Sequence, residues 1–126
     1  MKVKTFKVRI KSLEQGLEEF KAAYRAAVEG RGKDFKPIRG RFFTSLEAAR
    51  HVITDERMRL LQTVKKEKPD SIHELARLLG RDVKNVHQDV HLLRRLGLLT
   101  LGVSRARRLP GRPRVTYDRI DFSIPV

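Results

Sequence analysis

A row of polar side chains recurs at the spacing of one helix face, and its functional groups suit hydrogen bonding to nucleic-acid bases. The row consists of Lys84, Gln88, His91 and Arg95. At about 100° per residue these positions share a face, and the opposite face of the same helix is apolar. Lys and Arg donate to guanine, and Gln pairs with adenine, as Asn85 near the helix start can also do. His87 flanks the row, and we predict that all six polar residues contact duplex DNA.

A second group of basic residues follows this helix and suits contact with phosphates. Five arginines fall within a segment that contains no acid: Arg105, Arg107, Arg108, Arg112 and Arg114. Turn residues fill 104–113, and apolar stretches at 98–103 and 115–117 flank it, which predicts a basic loop between two strands. Gly111-Arg112-Pro113 is similar to part of an AT-hook, but Pro110 stands where its first Arg belongs. We therefore favour phosphate contact over minor-groove entry.

Three positions upstream fit a helix-turn-helix, a unit that places its second helix in a DNA major groove. They are Ala76, Gly80 and Val86, at the spacing A-x3-G-x5-V. A small residue permits close helix crossing, glycine provides a left-handed turn, and an apolar residue joins the second helix to the first. Ser71 with Glu74 predicts a capping box for a helix over 72–79, and Asp82 predicts the cap of a helix over 83–96.

The N-terminal part of the chain predicts a strand followed by a helix. Apolar and basic residues alternate over 3–10, which is the period of a half-buried strand. Ser12 with Gln15 predicts a capping box, and apolar residues at helical spacing predict a helix over 13–28. A second short strand is predicted over 38–43.

Two more helices and a final strand complete the predicted fold. Thr44 opens a second capping box, Thr54 begins the next helix, and 120–124 alternates as a strand. The resulting fold class is mainly α with small β (α+β), a winged helix-turn-helix with an N-terminal strand-helix extension. We expect the extension, for dimerisation or partner binding, at 1–41 and the DNA-binding domain at 42–126.

The composition favours a polyanionic partner. Lys and Arg number 29 against 15 Asp and Glu, a net charge of +14 over 126 residues. Such a field attracts double-stranded DNA first and acidic membrane second. A membrane role is disfavoured because the chain has no Trp and no apolar run long enough to span a bilayer. The absence of Cys suits a reducing compartment, and the first residues do not form a signal peptide, so we expect a cytoplasmic, nucleoid-associated protein.

The histidines form an incomplete metal-binding pattern. His87 and His91, four residues apart on one helix, have a spacing that can chelate zinc. Gln88 replaces the glutamate that acts as base in H-E-x-x-H, and His51 and His73 lie in other helices without ligand spacing. No Cys nucleophile, glycine-rich phosphate loop or G-x-S-x-G is present. We therefore expect no metal, no cofactor and no enzymatic activity.

Four segments between Phe42 and the C-terminus carry a family likeness. They are Ser45-Leu-Glu-Ala-Ala-Arg, Leu75-Ala-Arg-Leu-Leu-Gly-Arg-Asp-Val, Val90-His-Leu-Leu-Arg-Arg-Leu-Gly-Leu-Leu and Val115-Thr-Tyr-Asp-Arg-Ile-Asp-Phe-Ser-Ile-Pro. The chain resembles a family of prokaryotic winged helix-turn-helix transcriptional regulators, loosely related to the MarR group. The resemblance implies a sequence-specific DNA-binding protein that is usually a dimer. His87 and His91 stand where a small hydroxyl residue or Lys is more usual, so base preference does not carry over.

Several functions remain open at this point. The first is transcription regulation by a homodimer on duplex DNA. The second is an antitoxin of a toxin–antitoxin module, since some members of the family resemble antitoxins that bind a toxin protein and their own promoter. The third is a chromosome-coating protein that uses charge alone, and the fourth is an RNA-binding winged helix. The apolar face of the helix over 13–28 could pack against the winged helix, a second protomer or a toxin, and the sequence does not choose among these three.

Overall fold

The computed structural model describes residues 3–28 and 42–126, and these residues contain five helices and five short strands. In chain order these are β1 (Thr5–Ile10), α1 (Leu13–Val28), β2 (Phe42–Phe43), α2 (Leu46–Val52), α3 (Asp55–Glu67), α4 (Ile72–Leu79), α5 (Val83–Arg95), β3 (Thr100–Val103), β4 (Pro110–Arg114) and β5 (Arg119–Ser123). The protein is a small mixed fold of the α+β type. The predicted strand over 38–43 is observed at Phe42–Phe43, and its earlier residues lie outside the described part.

The chain forms two compact units. One contains Val52–Arg119 together with the N-terminal residues through Phe6, and the other contains Lys7–His51 and Ile120–Val126. The division into 1–41 and 42–126 stays a prediction, because residues 29–41 lie outside the described part.

The smaller unit is built on the strand-helix segment that the sequence predicts. β1 lies between β2 and β5 in a three-stranded sheet and pairs in parallel with β2. Val8 and Ile10 of β1 are buried, whereas Lys7 and Arg9 are exposed, as the alternation predicts. The Ser12 hydroxyl accepts a hydrogen bond from the Gln15 N–H at 3.1 Å. The Gln15 side chain accepts one from the Ser12 N–H at 3.1 Å, so this capping box is confirmed.

The start of α2 differs from the prediction by one residue. The Ser45 hydroxyl accepts a hydrogen bond from the Ala48 N–H at 3.0 Å, and α2 begins at Leu46. Ser45 is therefore the cap, and the prediction of Thr44 was wrong. Both residues carry a hydroxyl that can satisfy a free N–H, so composition alone does not separate them.

The core of the larger unit is formed by α3, α4 and α5. Thr54 caps α3 by accepting a hydrogen bond from the Arg57 N–H at 3.2 Å, as predicted. The side chains that line the core are fully buried: Leu60, Leu75, Val86, Val90, Leu93, Leu98 and Leu99. Burial of one Leu or Val side chain stabilises the fold by about 1.5–3 kcal/mol, so the buried side chains hold the three helices together.

A two-stranded hairpin follows α5. β3 and β4 are antiparallel, with Leu101 opposite Pro113 and Val103 opposite Pro110. The predicted returning strand over 115–117 was therefore wrong, since the chain turns back earlier and pairs through Pro110–Arg114. Each strand of a two-stranded hairpin has a free edge, so a proline without an N–H is tolerated there.

Residues near the N-terminus pack on the segment after the hairpin. The Tyr117 hydroxyl donates to the Leu98 carbonyl at 2.7 Å, and the Phe6 ring lies 5.2 Å from the Tyr117 ring between centroids. Burial raises the pKa of Tyr117 to about 12. The Lys4 N–H donates to the Asp118 carboxylate at 2.8 Å. Over the described ranges, no helix has both the length and the apolar character that crossing a membrane requires.

Candidate nucleic-acid interface

The turn between α4 and α5 has the local geometry that its sequence predicts. Ala76 and Val86 are buried, with 1% and 0% of their surface exposed. Gly80 has φ of +64°, a left-handed conformation that glycine adopts without strain, and the next N–H, of Arg81, donates to the Ala76 carbonyl at 3.1 Å. Asp82 caps α5 through the Asn85 N–H. The predicted burial, left-handed turn and cap are therefore observed, while the role of these positions in a helix-turn-helix stays a prediction.

One detail of the α4 cap differs from a capping box. The Ser71 hydroxyl accepts a hydrogen bond from the Glu74 N–H at 3.0 Å, as predicted. The Glu74 carboxylate, however, accepts from the Asp70 N–H at 3.1 Å and not from that of Ser71. The reciprocal bond is displaced by one residue, and it fixes the backbone of Asp70 to the first turn of α4.

The polar row of α5 (Lys84, Gln88, His91 and Arg95) lies on the side away from the core. Lys84, Gln88 and Arg95 are exposed, and His91 is half-buried. The flanking Asn85 and His87 are exposed as well. The opposite side is fully buried at Val86, Val90 and Leu93. The helix therefore presents donors and acceptors to its surroundings, while contact of these residues with DNA stays a prediction.

Two histidines of α5 lie side by side. The ring centroids of His87 and His91 are 4.4 Å apart. Burial lowers the pKa of His91, and the charges of His87, Arg94 and Arg95 lower it further. A neutral imidazole can both donate and accept a hydrogen bond at neutral pH. Among residues 3–28 and 42–126, no group of three or more His, Cys, Asp or Glu side chains is placed to hold a metal ion.

A carboxylate on the inner edge of α5 joins three elements. The Asp89 carboxylate accepts a hydrogen bond from Arg57 Nε of α3 at 3.1 Å. Its other oxygen lies 2.9 Å from Arg81 Nη1, outside hydrogen-bonding angles, so this contact is an ion pair. Arg57 also donates to the Val52 carbonyl at 2.9 Å. Asp89 thus fixes the position of α5 against α3 and the turn.

The loop between β3 and β4 is short and internally bonded. We define residues 104–109 as the arginine loop, which contains Arg105, Arg107 and Arg108. The Ser104 N–H donates to the Leu109 carbonyl at 2.8 Å and closes the loop. The Ser104 side chain is 1% exposed, and the three arginines are exposed. Sequence reasoning missed Asp70, whose carboxylate accepts hydrogen bonds from Ser104 and from the loop backbone.

The other two predicted arginines belong to a strand. Arg112 and Arg114 lie in β4, opposite Gly102 and Thr100, so their placement in the loop was wrong. A Cβ atom at Gly102 would lie 2.8 Å from Arg114 Cδ, which shows that the stem of Arg114 crosses β3 at this glycine. Strand pairing fixes the backbone at Arg112 and Arg114, whereas the arginine loop lies outside the paired residues of the hairpin.

Comparison with known proteins gives one match. No curated protein and no solved structure matches the chain. The family model named HVO_A0114 matches residues 52–122, which include α3, α4, α5 and the β3–β4 hairpin. The match spans more than half of the chain, and the protein therefore belongs to the HVO_A0114 family.

Proposed function

We propose that this protein is a sequence-specific regulator of transcription that binds double-stranded DNA. In this proposal α4 and α5 act as a helix-turn-helix, with α5 as the recognition helix, and the β3–β4 hairpin acts as the wing. The observation that carries the proposal is the two-sided character of α5. Its inner side is fully buried at Val86, Val90 and Leu93, and its outer side exposes Lys84 and Gln88.

The side chains of the polar row suit the edges of bases in the major groove. Gln88 can pair with adenine through one donor and one acceptor, and Lys84 and Arg95 can donate to guanine or to phosphate. His91 adds a ring N–H donor, which both its neutral and its protonated form supply. Base contacts carry sequence information, so these residues would determine which duplex is bound.

The arginine loop suits the phosphate backbone. Within residues 3–28 and 42–126, no ion pair joins Arg105, Arg107 or Arg108 to a carboxylate. Their charges therefore stay available for an external anion. Phosphate contacts strengthen binding without selecting a sequence, and the net charge of +14 supports the same role.

The proposal is tested by selection of bound duplexes from a random pool. A regulator that reads bases will enrich one sequence motif, and an inverted repeat in that motif would indicate a homodimer. A chromosome-coating protein will retain the pool unchanged, because phosphate contacts alone do not distinguish sequences. Retention of single-stranded RNA in preference to duplex DNA would contradict the proposal.

As part of this proposal we expect a homodimer, a likeness to MarR regulators, no enzymatic activity and a cytoplasmic, nucleoid-associated location. The antitoxin role also stays a prediction. Co-purification with a small protein encoded beside the gene, in a defined ratio, would favour it.

A further inference from the structure

The carboxylate of Asp70 holds the backbone of the arginine loop. One oxygen accepts hydrogen bonds from the Ser104 hydroxyl at 2.6 Å and from the Ala106 N–H at 3.2 Å. The other oxygen accepts from the Arg105 N–H at 2.6 Å. The Ser104 oxygen in turn accepts from the Arg107 N–H at 3.1 Å. Hydrogen bonds to a charged acceptor are stronger than neutral ones, so this carboxylate determines the conformation of the loop.

Asp70 is itself fixed to the helical part of the unit. Its N–H donates to the Glu74 carboxylate of α4 at 3.1 Å. The preceding residue, Pro69, is fully buried, and the following residue, Ser71, caps α4. A chain of hydrogen bonds thus runs from the first turn of α4 through Asp70 to the arginine loop.

The Asp70 carboxylate accepts hydrogen bonds from backbone N–H groups of the arginine loop, and it does not bind the guanidinium groups of that loop. Hydrogen bonds from Ser104 and Arg105 lower the pKa of Asp70, and the charge of Arg112 on β4 adds a smaller contribution. Asp70 is therefore ionised at neutral pH. None of the ion pairs in the described part of the chain involves Arg105, Arg107 or Arg108.

We propose that Asp70 is a positioning residue for DNA binding, which presets the arginine loop so that its guanidinium groups meet the phosphate backbone without prior ordering. This inference rests on the proposed function. An unrestrained loop would lose backbone conformational entropy when it binds DNA, and that loss would weaken the complex. A preset loop loses this entropy when the protein folds, so the loss does not weaken DNA binding.

Removal of the Asp70 charge should change DNA affinity in opposite directions, depending on whether electrostatics or loop positioning dominates. Asp70→Asn raises the net charge from +14 to +15, since one carboxylate is lost. Coulomb attraction to DNA alone would then make binding tighter. Loss of the preset loop makes it weaker, because an amide keeps only one oxygen and places an NH2 donor where either the Arg105 N–H or the Ala106 N–H needs an acceptor. The sign of the change in affinity therefore separates the two effects.

The experiment compares three variants of the full chain on one labelled duplex, by fluorescence anisotropy over a series of salt concentrations. Asp70→Asn is expected to weaken binding about three- to tenfold and to lower the salt slope by about one unit. Ser104→Ala, which keeps the net charge, is expected to weaken binding in the same direction. Glu67→Gln is the matched control, because Glu67 is exposed on α3 and loses the same charge. It should bind as tightly as wild type or more tightly.

Backbone amide exchange in the free protein separates positioning from general destabilisation. Amides of 105–107 should exchange faster in Asp70→Asn and in Ser104→Ala, while those of α5 stay protected. If Asp70→Asn does not fold, Ser104→Ala decides the question. If a folded Asp70→Asn or Ser104→Ala variant binds DNA with wild-type affinity and salt slope, the inference is overturned while the proposed DNA binding is not. A wild-type protein that binds no duplex would overturn the proposed function and the inference together.

Discussion

The guanidinium of Arg81, in the turn between α4 and α5, lies 2.9 Å from the carboxylate of Asp89 on α5. The side chains of Arg81 and Asp89 are 19% and 12% exposed, so both charges are largely removed from water. Arg57 binds the other oxygen of the same carboxylate. The Asp89 carboxylate thus pairs with two arginines on the inner side of α5, and these contacts hold the helix in place.

Replacement of Asp89 should destabilise the fold. Asp89→Asn removes the largely buried carboxylate that pairs with Arg57 and Arg81, and the ion pair that Arg81 keeps is to the exposed Glu56. We expect a loss of about 3 kcal/mol in the free energy of unfolding. Urea denaturation measures this change. Asp82→Asn is the control on the same helix, because it removes the same charge while Asn caps a helix about as well as Asp. Equal stability of the two variants would show that the ion pairs contribute little.

Substitution of Gly80 should act through the backbone alone. Its φ is +64°, and a Cβ added there would meet no heavy atom within 4 Å. Gly80→Ala should therefore cost about 1–2 kcal/mol of stability, the penalty of a left-handed conformation, with no added steric term. Gly80→Asn should cost less, because Asn tolerates this conformation. Thermal unfolding of both variants gives the comparison, and an alanine variant as stable as wild type would contradict the account.

DNA binding should strengthen as the pH falls, through His91. Burial and neighbouring cations hold the pKa of this imidazole below 6.5 in the free protein. The stability that the neutral imidazole contributes to the fold is therefore fully present above pH 6.5, and it is lost as the pH falls through the folded-state pKa. DNA phosphates favour the charged form, so binding takes up a proton. Affinity measured between pH 8 and pH 5.5 should rise more steeply for wild type than for His91→Gln. His51→Gln, on α2, should retain the wild-type pH dependence, and parallel curves for wild type and His91→Gln would exclude this linkage.

Local patterns predicted the ends of several elements because their causes act over a few residues. Ser12, Ser71 and Asp82 cap helices by accepting from an N–H three residues later, and that spacing is visible in the sequence. Gly80 follows the last turn of α4 at the position where a left-handed residue is needed. The periodicity of α5 likewise predicted that Val86, Val90 and Leu93 are buried, whereas Val83 in the first turn, predicted on the same side, is half-buried.

Pairs that are distant in sequence were not predictable in this way. Asp70 and Ser104 are 34 residues apart, and Arg57 and Asp89 are 32 apart. An isolated Asp after a proline has the pattern of an ordinary turn residue, and its role depends on where the hairpin packs. The same limit applies to the polar row, whose exposure follows from periodicity while its ligand does not.

The hairpin was misplaced because of its prolines. Pro110, Gly111 and Pro113 have the composition of a turn, so the predicted loop extended to 113. In the structure Pro113 is buried and lies opposite Leu101 within the hairpin. Packing therefore outweighs strand propensity at these positions. Arg112 and Arg114 are strand residues as a consequence, and the three arginines of the loop form a smaller group than the five expected.

The central claim, that α5 reads bases while the arginine loop binds phosphates, is tested most directly by two variants on two duplexes. Dissociation constants are measured for Gln88→Ala and Arg107→Ala on a duplex enriched from the random pool and on its scrambled form, at several salt concentrations. Gln88→Ala should reduce the preference for the enriched duplex about tenfold. Arg107→Ala should weaken both duplexes alike and lower the salt slope by about one unit. Identical behaviour of the two variants, or a wild-type protein without preference, would contradict the account.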